Sequence, residues 1–197
     1  MKLNNKIQIL ALIMLTVLAS CGSGNDFVPK PHGYPKMTLP AKSYQSFPAT
    51  DAPFGFEIPE YSVLTEDTLN PGKHWYNLKF PSLDVTLHLT YHRFNTWDGY
   101  DSMISDTRTL VNKHIQKAED IVEDPVENYN PNLHGVLFHI QGNTASNLNF
   151  YTTDSVKHFV RGALYFDKKT ETDSIRPVFE FLQDDIYHAI KTFRWKN

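Results

Sequence analysis

Alternation of apolar and polar side chains is clearest over residues 84–94. Four apolar residues, Val85, Leu87, Leu89 and Tyr91, alternate there with Thr86, His88, Thr90 and His92. A period of two residues is typical of a β-strand with one buried face. Shorter apolar patterns predict further strands over residues 54–59, 74–80, 135–141, 146–153 and 158–167.

Two other segments change to the period of about 3.6 residues that is typical of an amphipathic helix. The first, residues 100–123, has an apolar stripe made of Met103, Leu110, Val111, Ala118, Ile121 and Val122. As a helix it would be about 36 Å long and would end before Pro125 and Pro131. The second, residues 175–193, would bury Val178, Phe181, Leu182, Ile186, Ala189 and Ile190, with Pro177 in its first turn.

The order of these elements predicts an α+β domain over residues 53–197. Hairpin-length connections favour a mainly antiparallel sheet of about six strands, packed with the two helices. The sequence contains no internal repeat and no low-complexity block.

The first twenty residues are typical of a secretory signal peptide. Lys2 and Lys6 precede an apolar run over residues 7–19, which is shorter than the roughly 20 residues that span a bilayer. The run ends in Leu18-Ala19-Ser20-Cys21, which resembles the lipobox of bacterial lipoproteins. In that pattern the peptidase cuts before Cys21, which then carries acyl chains that attach the mature chain to a membrane.

Lipidation of Cys21 would use the only cysteine of the chain. A disulfide, a cysteine nucleophile and a cysteine-ligated metal are then excluded. Loss of Lys2 and Lys6 takes the formal net charge from −3 to −5. A mildly acidic chain with scattered basic residues argues against a nucleic-acid partner.

Residues 21–52 are expected to form a proline-rich tether. They include Pro29, Pro31, Pro35, Pro40 and Pro48 and little periodic apolar pattern. Because this segment also contains five bulky apolar residues, part of it is expected to lie along the globular domain. These residues are Tyr34, Met37, Leu39, Tyr44 and Phe47.

Eight positions, residues 154–161, contain four side chains of the kinds used by hydrolases: Asp154, Ser155, His158 and Arg161. A serine hydrolase could use Ser155 and His158, provided that Ser155 Oγ lies within about 3.2 Å of an imidazole nitrogen. The flanking glycines of a nucleophile elbow are absent, and Asp and Ser are common in hairpin turns. The pattern therefore favours a turn between two strands over a catalytic site.

The chain offers no pattern that indicates a cofactor. His88 and His92 have the spacing of zinc ligands on a helix, but on a strand they would be too far apart to share a metal. No glycine-rich phosphate loop is present. Four acidic residues at the end of the first predicted helix form either a solvated face or a contact for a cation or a basic partner: Glu119, Asp120, Glu123 and Asp124.

Several segments together are similar to the gliding motility lipoprotein GldD family. They are PKPHGYPKMTLP, FGFEIPEYS, WYNLKFP, TLHLTY and, most specifically, GNTASNLNFYTTDSVKHFVRGALYF, and the resemblance covers about residues 29–195. It implies a cell-envelope lipoprotein, needed for gliding and for the associated type IX secretion. The family has no established enzymatic activity, so only Cys21 carries over, as the lipid-attachment site. By analogy of fold alone, the element order also looks like the PsbP-type α-β-α sandwich.

The resemblance implies other gliding and secretion proteins as partners, with a GldE-type membrane protein as a natural candidate. The expected protein is a lipid-anchored accessory protein without cofactors that acts by protein contacts, on the periplasmic side of a membrane. Asp154, His158 and Arg161 are expected to be polar contacts of its docking surface. The alternatives are a glycan- or peptidoglycan-binding module with an aromatic-lined cleft, and the serine hydrolase described above.

Overall fold

The computed structural model describes residues 38–68, 72–113, 117–142, 144–167 and 172–196. All of them fall within one compact unit, Tyr34–Asn197. The predicted signal peptide, Cys21 and the first part of the predicted tether lie outside the described residues.

Eleven strands and two α-helices make up the described residues. The strands are β1 (Tyr44–Ser46), β2 (Phe54–Gly55), β3 (Glu57–Pro59), β4 (Val63–Glu66), β5 (Tyr76–Phe80), β6 (Val85–Arg93), β7 (Ala118–Pro125), β8 (His134–Gly142), β9 (Ser146–Thr153), β10 (His158–Phe166) and β11 (Arg194–Trp195), and the helices are α1 (Trp97–Asn112) and α2 (Thr172–Thr192). Seven strands form one antiparallel sheet in the order β4-β5-β6-β10-β9-β8-β7. Two small sheets pair β1 with β3 and β2 with β11.

Each face of the large sheet packs against one helix. On one face, Leu87, Leu148 and Leu164 join the main core with Val178, Leu182 and Ile186 of α2. On the other face, a smaller core contains Phe138, Ile140, Tyr151 and Phe159, packed with Val111, Met103 and Ile104 of α1. The prediction of an antiparallel sheet between two helices is therefore confirmed.

The first predicted helix is shorter than expected. It begins at Trp97 and ends at Asn112, and residues 118–125 form the edge strand β7 instead of its last turns. β-branched Ile121 and Val122 favour a strand, and they pair with Ile140 and His139 of β8. The predicted stripe is accordingly wrong at Leu110 and Val122, whose side chains are exposed.

The segment 54–59, predicted as one strand, divides between two small sheets. Phe54 and Gly55 pair with the C-terminal β11, whereas Glu57, Ile58 and Pro59 pair with β1. The second helix also differs, because it begins at Thr172 and so places Pro177 in its second turn.

The last part of the predicted tether belongs to the domain. Phe47 and Ala52 are buried in the main core, and Tyr44–Ser46 form β1. The expectation that this segment lies along the domain is confirmed for these residues. The packing of these residues against the domain begins before residue 52, the boundary predicted from the sequence.

A buried carboxylate attaches this N-terminal segment to α2. Asp185 is 1% exposed, and its Oδ1 accepts a hydrogen bond from the Tyr44 hydroxyl at 2.8 Å. Its Oδ2 accepts one from the Tyr61 hydroxyl, and Lys42 Nζ lies 3.1 Å from Oδ1. Burial, followed by the hydrogen bonds to Asp185, raises the pKa of both tyrosines well above the ordinary value. Three donors thus offset the cost of burying one charge.

A second buried side chain holds the end of α2. Asn130 Nδ2 donates to the carbonyl oxygens of Ile190, Lys191 and Phe193, at 3.2, 3.3 and 3.0 Å. These are carbonyls that the end of a helix leaves without intrahelical partners. Asn130 therefore fixes the point at which the chain leaves α2 and enters β11.

We expect Asp185→Ala to lower the free energy of unfolding by about 3 kcal/mol, because it leaves two tyrosine hydroxyls without their acceptor and removes the ion pair with Lys42. Asp184→Ala is the matched control, since Asp184 lies 3.4 Å from the same Lys42 Nζ but its side chain is 70% exposed. Its effect should stay within about 0.5 kcal/mol. Urea unfolding of both variants measures the difference, and equal losses would contradict the role given to Asp185.

Candidate functional site

The residues between β9 and β10 form a tight hairpin turn. Asp154 Oδ1 accepts hydrogen bonds from the backbone N–H groups of Val156, Lys157 and His158, at 2.9, 2.9 and 2.8 Å. Burial alone would raise the pKa of Asp154, but these three donors outweigh it and lower the pKa below its ordinary value. Ser155 occupies the left-handed region with φ of 59°, a conformation that is common in hairpin turns. The turn interpretation is the one that the geometry supports.

His158 lies inside the protein at the base of this turn. It is 6% exposed, its Nδ1 is 2.7 Å from the Tyr91 hydroxyl, and its ring stacks on Trp195 with centroids 5.3 Å apart. Burial lowers its pKa, although the charge of Asp154 opposes the shift. No hydrogen bond joins Ser155 Oγ to His158 in the described part of the chain, so the pair does not form a nucleophile and base.

Arg161 lies on the opposite face of the sheet from His158. His158 contacts Tyr91 and Trp195 on the α2 side, whereas Arg161 lines a groove beside α1. The carboxylate of Asp154 accepts hydrogen bonds from the backbone of the turn. The three residues predicted to share a docking surface therefore do not lie on one surface.

Two large apolar side chains are exposed at the tip of this hairpin and beside it. Val156 in the turn is 70% exposed, and Trp97 at the start of α1 is 67% exposed. The two loops are adjacent, because the Phe94 N–H donates to the Lys157 carbonyl at 3.0 Å. We call Trp97, Val156 and Lys157 the hairpin-tip patch. Sequence reasoning missed it, although a valine inside an otherwise polar turn is a signal that could have revealed it.

The groove beside α1 has a volume of about 360 Å³. Across the groove, Arg161 and His92 of the sheet face Asp106 of α1 and Lys113, the residue that follows α1. The other lining residues are Trp75, Met103, Thr107, Thr109, Leu110 and Phe159. Burial lowers the pKa of both Arg161 and His92. The groove thus combines one cation from the sheet with a largely apolar lining.

The acidic group predicted on a helix lies instead on the edge strand β7. Glu123 pairs with Arg108 of α1 through two hydrogen bonds of 2.5 and 2.8 Å. Asp124 accepts hydrogen bonds from Asn128 and from the Tyr129 hydroxyl. Charged side chains along an unpaired edge discourage pairing with another chain, which gives these residues a structural role.

The described residues contain no group of three or more His, Cys, Asp and Glu side chains placed to hold a metal ion. His88, one of the two histidines with zinc-like spacing, has its Nδ1 2.6 Å from Asn77 Oδ1 on the neighbouring strand.

Removing the carboxylate of the turn should loosen the hairpin. We expect Asp154→Ala to destabilise the domain by about 1 kcal/mol, because three N–H groups lose a charged acceptor that is partly exposed. For a domain of this size the melting temperature should fall by roughly 2–4 °C. Asp154→Asn keeps the Oδ1 acceptor and should lose less, and a larger loss for the Asn variant would contradict this role of Asp154.

The solution structure of cyanobacterial PsbP (CyanoP) from Synechocystis sp. PCC 6803 is similar to the chain with a TM-score of 0.46 and 14% sequence identity, covering 80% of this chain and 95% of that one. No match was found among curated proteins.

In the part of the chain that is described, no helix has the length and the apolar character to cross a membrane. The sequence profile of the gliding motility lipoprotein GldD family matches residues 24–195, nearly the whole chain. The chain therefore belongs to the gliding motility lipoprotein GldD family.

Proposed function

We propose that this protein is a lipid-anchored accessory component of the gliding machinery that acts through protein–protein contacts rather than catalysis. In this proposal acylated Cys21 holds it in a membrane, the domain faces the periplasm, and it supports type IX secretion together with gliding. Membership of the GldD family supports the role in gliding. The absence of a Ser155–His158 hydrogen bond among the described residues removes the main argument for a hydrolase.

The observation that carries the proposal is the exposure of the hairpin-tip patch. Single exposed apolar side chains are ordinary on protein surfaces. Here Trp97 and Val156, the two most exposed large apolar residues of the described chain, lie on adjacent loops. Tryptophan is enriched among the residues that dominate binding energy at interfaces.

The patch is held in place before any partner arrives. Asp154 fixes the turn that carries Val156, and the ring of Trp97 lies 5.0 Å from that of Tyr100. Thr96 caps α1, because its Oγ1 accepts a hydrogen bond from the Gly99 N–H at 3.1 Å. A preformed surface loses little conformational entropy on binding, which favours specific docking.

The charges around the patch indicate the kind of partner it fits. Arg93 and Lys157 are exposed beside it, and Asp98 of α1 and Asp154 of the turn supply two opposite charges. The complementary surface would be an apolar pocket with a rim of mixed charge. A GldE-type membrane protein of the same machinery is the candidate partner in this proposal.

The length of chain before the domain is compatible with a partner in the same membrane. Residues 22–37 separate Cys21 from the described domain and span at most about 55 Å when fully extended. A domain on a tether of that length stays close enough to the membrane surface to contact a protein in the same membrane.

We expect the double variant Trp97→Ala/Val156→Ser to abolish gliding when it replaces the native chain. The variant should keep its abundance and its melting temperature, because both side chains are exposed and contribute little to the core. Recovery of gliding-machinery proteins with the lipidated protein from crosslinked envelopes should fall at least tenfold, measured by mass spectrometry.

Val63→Ser is the matched control, because Val63 is 50% exposed on the distant edge strand β4. Cells with this variant should glide normally and recover the same partners. Normal gliding and partner recovery by the double variant, with the protein folded and present, would refute docking through the patch.

A further inference from the structure

We propose that the groove between α1 and the sheet binds a carboxylate attached to an apolar group, held by the guanidinium of Arg161. This site is separate from the hairpin-tip patch, since the two share no residue, and it goes beyond the proposed function.

Among the described residues, Arg161 is a cation without a hydrogen-bond or ion-pair partner, and it is partly buried. Tyr165 and Asp106 act on it only through longer-range charge interactions. A guanidinium withdrawn from water without an anion costs free energy, and proteins usually pair such a group. The guanidinium of Arg108, by contrast, is paired, because it forms two hydrogen bonds with Glu123.

A second polar group beside Arg161 is also without a partner. Thr90 lies directly opposite Arg161 in the β6–β10 register. Its Oγ1 is buried and has no hydrogen-bond partner among the described residues. Buried hydroxyls are normally satisfied, but Thr90 does not line the groove, so its hydroxyl shows incomplete polar pairing beside Arg161 and is not itself a ligand contact.

The charges that face the groove favour an anion with a single charge. Arg161 and Lys113 contribute two cations and Asp106 one carboxylate, and burial lowers the pKa of His92 and so favours its neutral form. The groove therefore carries one net positive charge. A carboxylate matches it and fits the fork of the guanidinium in a bidentate geometry, whereas Asp106 would repel the second charge of a phosphate.

The rest of the lining indicates an apolar body attached to that carboxylate. The walls of the groove include four aromatic or aliphatic side chains, those of Trp75, Phe159, Met103 and Leu110. The volume of the groove, about 360 Å³, is at the small end of ligand-binding sites in proteins. A small aryl or alkyl carboxylate fits this description, and so does the C-terminal residue of a peptide with an apolar side chain.

The direct test is an NMR titration of the mature domain with 3-phenylpropionate and with its neutral amide. We expect saturable shifts at Trp75 and His92 with the acid and binding at least tenfold weaker with the amide, because a charge-assisted pair with Arg161 is lost. Equal binding of acid and amide, or no saturable shift with any carboxylate up to 10 mM (about the limit for a useful site), would overturn the proposal.

Substitutions of Arg161 test whether its side chain is responsible for binding the acid. Arg161→Gln should lose at least tenfold in affinity for the acid, and Arg161→Lys should keep part of it as a point charge. Arg108→Gln, the matched control, removes a paired guanidinium of α1 and should bind like the native protein. Undiminished binding by a folded Arg161→Gln variant would overturn the assignment.

A second pair of probes distinguishes the two sources of the carboxylate. The dipeptide Gly-Phe presents a peptide C-terminus, and its amidated form lacks the charge. Binding that is tighter for Gly-Phe than for 3-phenylpropionate would identify a peptide end as the ligand class, and the reverse order a free carboxylate. Either order supports the proposal, provided that Arg161→Gln abolishes the binding.

Discussion

A sheet of seven strands has two faces to cover, and the described part of the chain supplies two helices of unequal length. The longer, α2, packs with the N-terminal segment and with β11 over one face and closes the main core there. The shorter, α1, packs against Phe138, Ile140, Tyr151 and Phe159, towards the β7–β10 side of the other face. The part of this second face that α1 does not cover carries polar side chains such as Asn77 and His88. The groove that contains Arg161 lies where the cover provided by α1 ends.

The main core depends in turn on polar contacts that lie far apart in sequence. Asp185 joins α2 to Tyr44 and Tyr61, and Asn130 holds the last carbonyls of α2. The C-terminal tail then pairs with β2, and the Lys196 Nζ donates to the carbonyls of Ala49 and Thr50. Trp195, positioned by this tail, stacks on His158 at the base of the hairpin. Packing at the start of the domain is thus connected to the loop that presents Val156.

The sequence predicted the parts of the fold that regular patterns encode. Alternation over residues 84–94 identified β6, and the helical stripe over residues 175–193 identified α2, because a buried face imposes a period on its residues. The sequence did not predict β7, because acidic residues interrupt the apolar pattern of this exposed edge strand. It did not predict β1 or β11 either, because strands of two or three residues are too short to show a period.

For the candidate site, the sequence identified residues but not their surroundings. Asp154 was correctly interpreted as a turn residue, because Asp commonly bonds to nearby backbone N–H groups. The burial of His158 depends on Tyr91 and Trp195, which are distant in sequence, so no local pattern could reveal it. The lack of a partner for Arg161 among the described residues likewise depends on where α1 ends relative to the sheet.

The central claim is that the end of the domain that carries the hairpin tip contacts the gliding machinery. Lysine-directed crosslinking of the unaltered protein in native envelopes tests it most directly, because Lys157 lies at that end and the exposed Lys79 pairs near the other end of β6. The account predicts crosslinks from Lys157, and not from Lys79, to an identified gliding or secretion protein. Crosslinks to such proteins from Lys79 alone would contradict it.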